Sequence, residues 1–112
     1  MDGTRIDEIA DGIYRISTWL PAAVGDRGIS INRFLVLGEE PLLFHTGRRA
    51  DAAAALGAIV RVVPLERLRW LSFGHVEADE CGAMNEMLAA APHLEVAFGA
   101  LGCTISVDDL AD

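Results

Sequence analysis

The chain is poor in most of the features that announce a function outright. It holds two cysteines, Cys81 and Cys103, among 112 residues. That is too few, and the pair too far apart, for a zinc ribbon or a disulfide scaffold; two reduced, partly buried thiols are expected. No run of about 18 apolar residues occurs, so no membrane-spanning helix is expected. The opening Met1-Asp2-Gly3-Thr4-Arg5 lacks the basic, apolar and small-residue succession of a signal peptide, and a cytoplasmic location is expected. Positive charge is scarce as well. Nine basic residues face 17 acidic ones, a net charge of −8. Such a surface does not displace counterions from nucleic-acid phosphates or adhere to anionic lipid, so neither partner is expected. There is no internal repeat, linker or low-complexity stretch, and the length suits one domain, residues 1–112.

What is present is apolar. Hydrophobic residues make up 52% of the chain, enough to build a core and to exclude global disorder. The N-terminal third reads as strands: residues 6–9, a turn at Asp11-Gly12, then residues 13–20. Tyr14, Ile16, Thr18 and Leu20 share one face by the period of two. Pro21 is expected to end that strand, with a loop over 21–30. Residues 31–37 and 42–44 predict two further strands, divided by the turn Gly38-Glu39-Glu40-Pro41. Their continuous apolar content predicts cover on both faces.

The period then changes. Leu56, Ile59, Val60 and Val63 follow the i, i+3, i+4, i+7 spacing of one helical face, the alanines at 52–55 favour helix, and Pro64 stops it. Residues 68–73 read as a strand with Gly74 as exit. Met84, Met87, Leu88 and Ala91 predict a helix over 82–91, in which the two methionines fill core. Residues 94–98 read as another strand, and 103–112 as a short strand followed by an acidic turn. The fold class expected is α/β, a layered sheet with flanking helices. Parallel strands joined by helices line up their carboxyl ends at one edge, where ligand loops lie. His45-Thr46-Gly47 and the stretch 75–80 both fall there.

The second of these, within SFGHVEADEC, puts His75, Glu77, Asp79 and Glu80 into six positions. Two carboxylates about 5 Å apart repel by roughly 3 kcal/mol at an effective dielectric near 20, against a net domain stability of about 5–15 kcal/mol. Either the acids fan out into water or a cation belongs among them. Imidazole with carboxylates suits iron, manganese or zinc. The plainer alternative is that Asp79 or Glu80 caps the next helix, with Glu77 solvated and His75 hydrogen-bonded.

The strings ISINRFLV, LLFHTG and FGHVEADECGAMNE resemble the metallo-β-lactamase fold superfamily, in the oxygen-binding di-iron branch that includes flavodiiron proteins. His75-x-Glu77-x-Asp79 stands where most of that superfamily has His-x-His-x-Asp-His. The resemblance implies the first half of an αββα sandwich. It implies His75 and Glu77 as ligands of a first iron and Asp79 of a second. Glu80 stands where the family has a further histidine, as an oxygen ligand or a bystander. His45 is expected to hydrogen-bond a ligand rather than be one, and His93 to lie on the surface. The family's remaining ligands, two histidines and a bridging aspartate, belong to a second half, so a truncated or assembled site is expected.

Three functions follow from this reading. One is a di-iron protein binding or reducing dioxygen or nitric oxide, weakly active or inactive alone, with no flavin in this chain. Another is metal-assisted hydrolysis, zinc activating water. The last is a non-catalytic half-domain that self-associates through an uncovered sheet face.

Overall fold

The computed structural model describes residues 3–112. It contains one six-stranded sheet in the order β1-β2-β3-β4-β5-β6. Strands β1 (Thr4–Ala10), β2 (Ile13–Val24), β3 (Arg27–Val36) and β4 (Leu42–Phe44) pair antiparallel. Strands β5 (Trp70–Ser72) and β6 (Glu95–Ala97) continue parallel to β4. The parallel crossovers carry helix α1 (Ala52–Val60), then the short α2 (Ala78–Cys81) and α3 (Met84–Ala90). This is the layered α/β arrangement the periodicity predicts. Among the described residues no helix is long and apolar enough to cross a membrane.

The buried side of the sheet follows the alternation. Ile16 and Thr18 on β2, Ile31, Arg33 and Leu35 on β3, Leu43 on β4 and Leu71 on β5 all point to the helix side. Met84 and Met87 pack there as core, and the thiols of Cys81 and Cys103 are free and half-buried.

Several expectations are corrected. The stretch 21–30 is not a loop: β2 runs on to Val24, turns at Gly25-Asp26 and returns through Arg27. The ladder is irregular between Leu20 and Val24, and that irregularity accommodates Pro21, which has no N–H for a regular ladder. Among the described residues the helices pack on one face of the sheet. Phe34, Val36, Leu42, Phe44 and Trp70 alternate with the core residues onto the helix-free side and stay half-buried. Helix α1 ends at Val60, well short of Pro64. It turns Ala52, Ala55, Ala58 and Ile59 inward because alanines allow a close approach to the sheet, which leaves Val60 52% exposed.

The later strands are also shorter than expected, with Leu68, Phe73 and Leu94 buried just outside them. The predicted helix over 82–91 is Met84–Ala90, preceded by the separate turn of α2. Residues 100–110 are helical, with a π-helical turn over Cys103–Val107, not a strand and turn. Cys103, Val107 and Ala111 pack on the core, an i, i+4, i+8 repeat that a search for alternation passes over.

Emptying a fully buried leucine leaves a cavity, whereas trimming an exposed valine does not. Leu71→Ala is expected to cost about 2–5 kcal/mol and Val60→Ala less than about 0.5 kcal/mol, compared by urea denaturation midpoints.

Candidate metal centre

Strands β4 and β5 end side by side, and the chain leaves each at the same sheet edge. The His45 amide donates to the Ser72 carbonyl at 2.8 Å, extending the parallel ladder by one bond. His45 then takes φ = 70°, a left-handed conformation uncommon for a side-chain-bearing residue. It turns the chain into Thr46 and Gly47, both buried.

Beneath this turn lies Arg33, fully buried. Its Nε donates to the Thr46 carbonyl at 2.9 Å and one terminal nitrogen to Thr18 Oγ1 at 2.9 Å. Asp51 Oδ2 stands 4.0 Å from the other terminal nitrogen. Asp51 is itself clamped by Arg48 through two hydrogen bonds of 2.8 and 2.9 Å. The Arg48 hydrogen bonds hold the Asp51 carboxyl below the usual carboxylate range, against the opposing effect of burial. Gly47 sits on the guanidinium so closely that a Cβ there would lie 2.4 Å from Arg33 Nε. At φ = 77° the position is also strained for any other residue.

The turn then clasps the second loop. The Thr46 amide donates to the Glu80 carbonyl at 2.7 Å, and the Ala83 amide reaches both Thr46 Oγ1 at 3.0 Å and the Gly47 carbonyl at 3.1 Å. Arg33 thereby fixes the β4 turn, and the β4 turn fixes α2. Reading alone missed Arg33. The available signal was its place between Ile31 and Leu35 in a period of two, which aims it into the core.

The four predicted ligands do not all converge. His75, Glu77 and Glu80 each offer a donor atom, all within 4.8 Å of one another, and Asp79 is not among them. His75 Nδ1 lies 3.9 Å from Glu77 Oε1 and 3.4 Å from Glu80 Oε2. His75 and Glu77 stand in solvent, 76% and 63% exposed, while Glu80 is only 13% exposed. Asp79 lies exposed in the first turn of α2.

Capping does not account for this arrangement. The N-cap position of α2 belongs to Glu77, whose side chain makes no capping bond. Glu80 instead folds back, Oε1 accepting the His75 amide at 2.6 Å and lying 3.2 Å from His45 Nε2. Burial pushes the Glu80 carboxyl up, but the His75 amide and the two imidazoles outweigh it and hold it below the ordinary range. It is therefore an ionised donor at neutral pH. Cys81 next to it goes the other way: burial, with the charges of Glu80 and Asp79, pushes its thiol up. His45 stacks on Phe44, ring centres 4.3 Å apart. It touches Glu80, the place expected for a residue that orients a ligand. His93 is exposed, its Nε2 2.9 Å from the Leu68 carbonyl oxygen.

One imidazole and two carboxylates form a donor set for a hard or borderline divalent ion. They supply three positions of the four to six such ions fill, so the residues present fit one side of a coordination shell.

No protein-family model matches the chain. It is 33% identical over 69 residues to a diflavin flavoprotein of Synechocystis, a match covering 62% of this chain and 12% of that protein. A mutant of the flavo di-iron protein from Thermotoga maritima superposes with a TM-score of 0.84 at 21% identity, over 98% of this chain and 30% of the other. A metallo-β-lactamase from Hirschia baltica superposes with a TM-score of 0.69 at 16% identity, over 95% and 48%. The chain thus spans less than half the length of each of these proteins.

Two outcomes test the clasp. Gly47→Ala is expected to lower stability by about 1–3 kcal/mol through backbone strain alone, and by more where Arg33 is displaced. Asp51, its carboxyl depressed in the folded protein, contributes stability that is fully present above the ordinary value of 3.8. That contribution disappears as pH falls through the folded value. The stability difference between wild type and Asp51→Asn should hold constant near neutrality and shrink below that pH in denaturation series.

Proposed function

We propose that this chain, which has the fold of the N-terminal half of a metallo-β-lactamase domain in its flavodiiron form, is a metal-binding module. In this reading it contributes one side of a redox centre for dioxygen or nitric oxide. The convergence of His75, Glu77 and Glu80 supports this most directly. Bound there, an iron ion would supply a redox-active Lewis acid; zinc or manganese also suits the donors.

The chain's own residues do the positioning. His75 and Glu77 present donors from a loop anchored by the clasp on Arg33. Glu80 lies between His75 and His45, its Oε1 held by the His75 amide and 3.2 Å from His45 Nε2. Asp79, outside the triad, is left for a second ion. The open positions call for donors from another polypeptide segment, the rest of a longer chain or a second copy. Flavin has no part assigned to these residues.

Glu77 favours redox chemistry over hydrolysis, since it brings an anionic oxygen where hydrolytic relatives have histidine. A self-associating role has one observation in its favour, the half-buried apolar residues Phe34, Phe44 and Trp70 on the side without helices. A concentration-independent monomer in sedimentation would dismiss it.

Anaerobic purification with metal analysis tests the main reading. We expect weak, substoichiometric Fe(II), lost in Glu80→Gln. His45→Ala should weaken it by roughly 10–100-fold, the usual effect of losing a group that orients a ligand. Two tightly held irons in the isolated chain would overturn the incomplete-shell reading, and indifference of binding to His75→Ala and Glu80→Gln would overturn the site.

A further inference from the structure

The turn after β4 brings a second imidazole to Glu80. His45 Nε2 lies 3.2 Å from Glu80 Oε1. His75 Nδ1 stands farther off, 3.4 Å from Glu80 Oε2 and 3.9 Å from Glu77 Oε1. Two donors bound at about 2.0–2.2 Å to one ion are about 2.8–3.6 Å apart along an octahedral or tetrahedral edge. The His45–Glu80 pair already has that spacing, and the His75–Glu77 pair does not.

It is also the better-built pair. The side chains of His45 and Glu80 are 22% and 13% exposed, against 76% and 63% for His75 and Glu77. His45 is held by its amide's bond to the Ser72 carbonyl and by the stack of its ring on Phe44. Glu80 Oε1 is held by the His75 amide. Side chains fixed in advance lose little freedom on gripping an ion. Gly74 leaves the room: a Cβ there would lie 3.0 Å from Glu80 Oε1 and 3.6 Å from His45 Nε2, against both donor atoms at once. The Gly74 amide donates to His45 Nε2 at 3.3 Å, a long bond to a lone pair, and neutral imidazole with a free lone pair is the form that binds metal. A proton on the same nitrogen would serve Glu80 instead, which is the orienting role. The two roles differ in what Nε2 carries.

We propose that His45 is itself a metal ligand, so that the chain offers two imidazoles, with the oxygens of Glu80 divided between them: Oε1 toward His45 and Oε2 toward His75. This rests on the metal-binding reading above and changes its donor set, from one imidazole with two carboxylates to two with two. That set still suits iron(II), zinc and manganese, and it leaves fewer positions to be filled from another segment.

The chain has three histidines, His45, His75 and His93, and imidazoles bound to zinc are counted by their outer-ring scattering in X-ray absorption. With untagged protein in excess over Zn(II), we expect two imidazoles in the wild type, one in His45→Gln, one in His75→Gln and two in His93→Gln. Glutamine at position 45 keeps an amide N–H for Glu80, so an orienting role survives that substitution and a ligand does not. Since His45 occupies a left-handed turn, a protein carrying both His75→Gln and His93→Gln asks the same question without disturbing it. Its one histidine should still stand on zinc, and zinc without imidazole there overturns the proposal. A single imidazole in the wild type that persists in His45→Gln and vanishes in His75→Gln overturns the assignment of His45 and leaves the metal-binding reading in place. Failure of the wild type to bind zinc, or a count that changes with His93→Gln alone, overturns both.

Discussion

A buried arginine beneath a turn of backbone is the constraint on which the candidate centre depends. Arg33 cannot shed its charge, and isolating an ion from water costs several kcal/mol even after relaxation. The fold compensates by surrounding the guanidinium with oxygens: the Thr46 carbonyl, Thr18 Oγ1 and, at longer range, Asp51. Each demand shapes a neighbour. The Thr46 carbonyl faces the guanidinium from a turn in which His45 is left-handed, and Gly47 must lack a side chain. Asp51 must stay ionised, which Arg48 secures. A neutral residue at position 33 would relieve all of these constraints, and the loop would lose the reason for its shape.

The same clasp explains how the crowded acids coexist. Repulsion among Glu77, Asp79 and Glu80 is resolved by giving each a different environment. Glu80 turns back onto the His75 amide and His45, where hydrogen bonds and imidazoles favour its charge. Glu77 stays in solvent, where water screens it. Asp79 leaves with the first turn of α2, near the positive end of its peptide dipoles. What remains at the sheet edge is one well-anchored carboxylate with two adjustable donors.

How much of this was legible before the fold was known depended on whether a signal was local. Alternation in Tyr14, Ile16, Thr18 and Leu20 and the helical spacing of Met84, Met87 and Ala91 named the core faces correctly, because burial acts on each element separately. The two polar loops were placed at one edge from strand–helix order alone. Pro21 misled because a local rule against proline in ladders was met by an irregularity that only the partner strand reveals. Val60 misled because three alanines, Ala52, Ala55 and Ala58, turn inward and let α1 sit lower on the sheet than its bulkier residues suggest. Arg33 was overlooked since charge implies exposure on average, although its parity with Ile31 and Leu35 pointed inward. The separation of Asp79 from His75, Glu77 and Glu80 was not accessible at all. It depends on the hydrogen bond from the His75 amide to Glu80, which no spacing encodes.

The sheet divides its labour along its width. The parallel strands β4, β5 and β6 are three residues each and serve to bring loop ends together; buried leucines and flanking helices give them their stability. The antiparallel strands β1, β2 and β3 are longer and held by ladders that shift register between Glu8 and Ala10 and between Leu20 and Val24. That difference decides where polar chemistry can reside. At the parallel end it is confined to the edge, because the strands are too short to carry it. At the antiparallel end polar residues stand on the face itself, where Arg15 pairs with Phe34, Ser17 with Asn32 and Trp19 with Ser30. Arg33 belongs to both regions. It sits on a long antiparallel strand yet fixes the loop that follows β4, which makes the antiparallel half of the sheet the support for the candidate centre at the edge of the other.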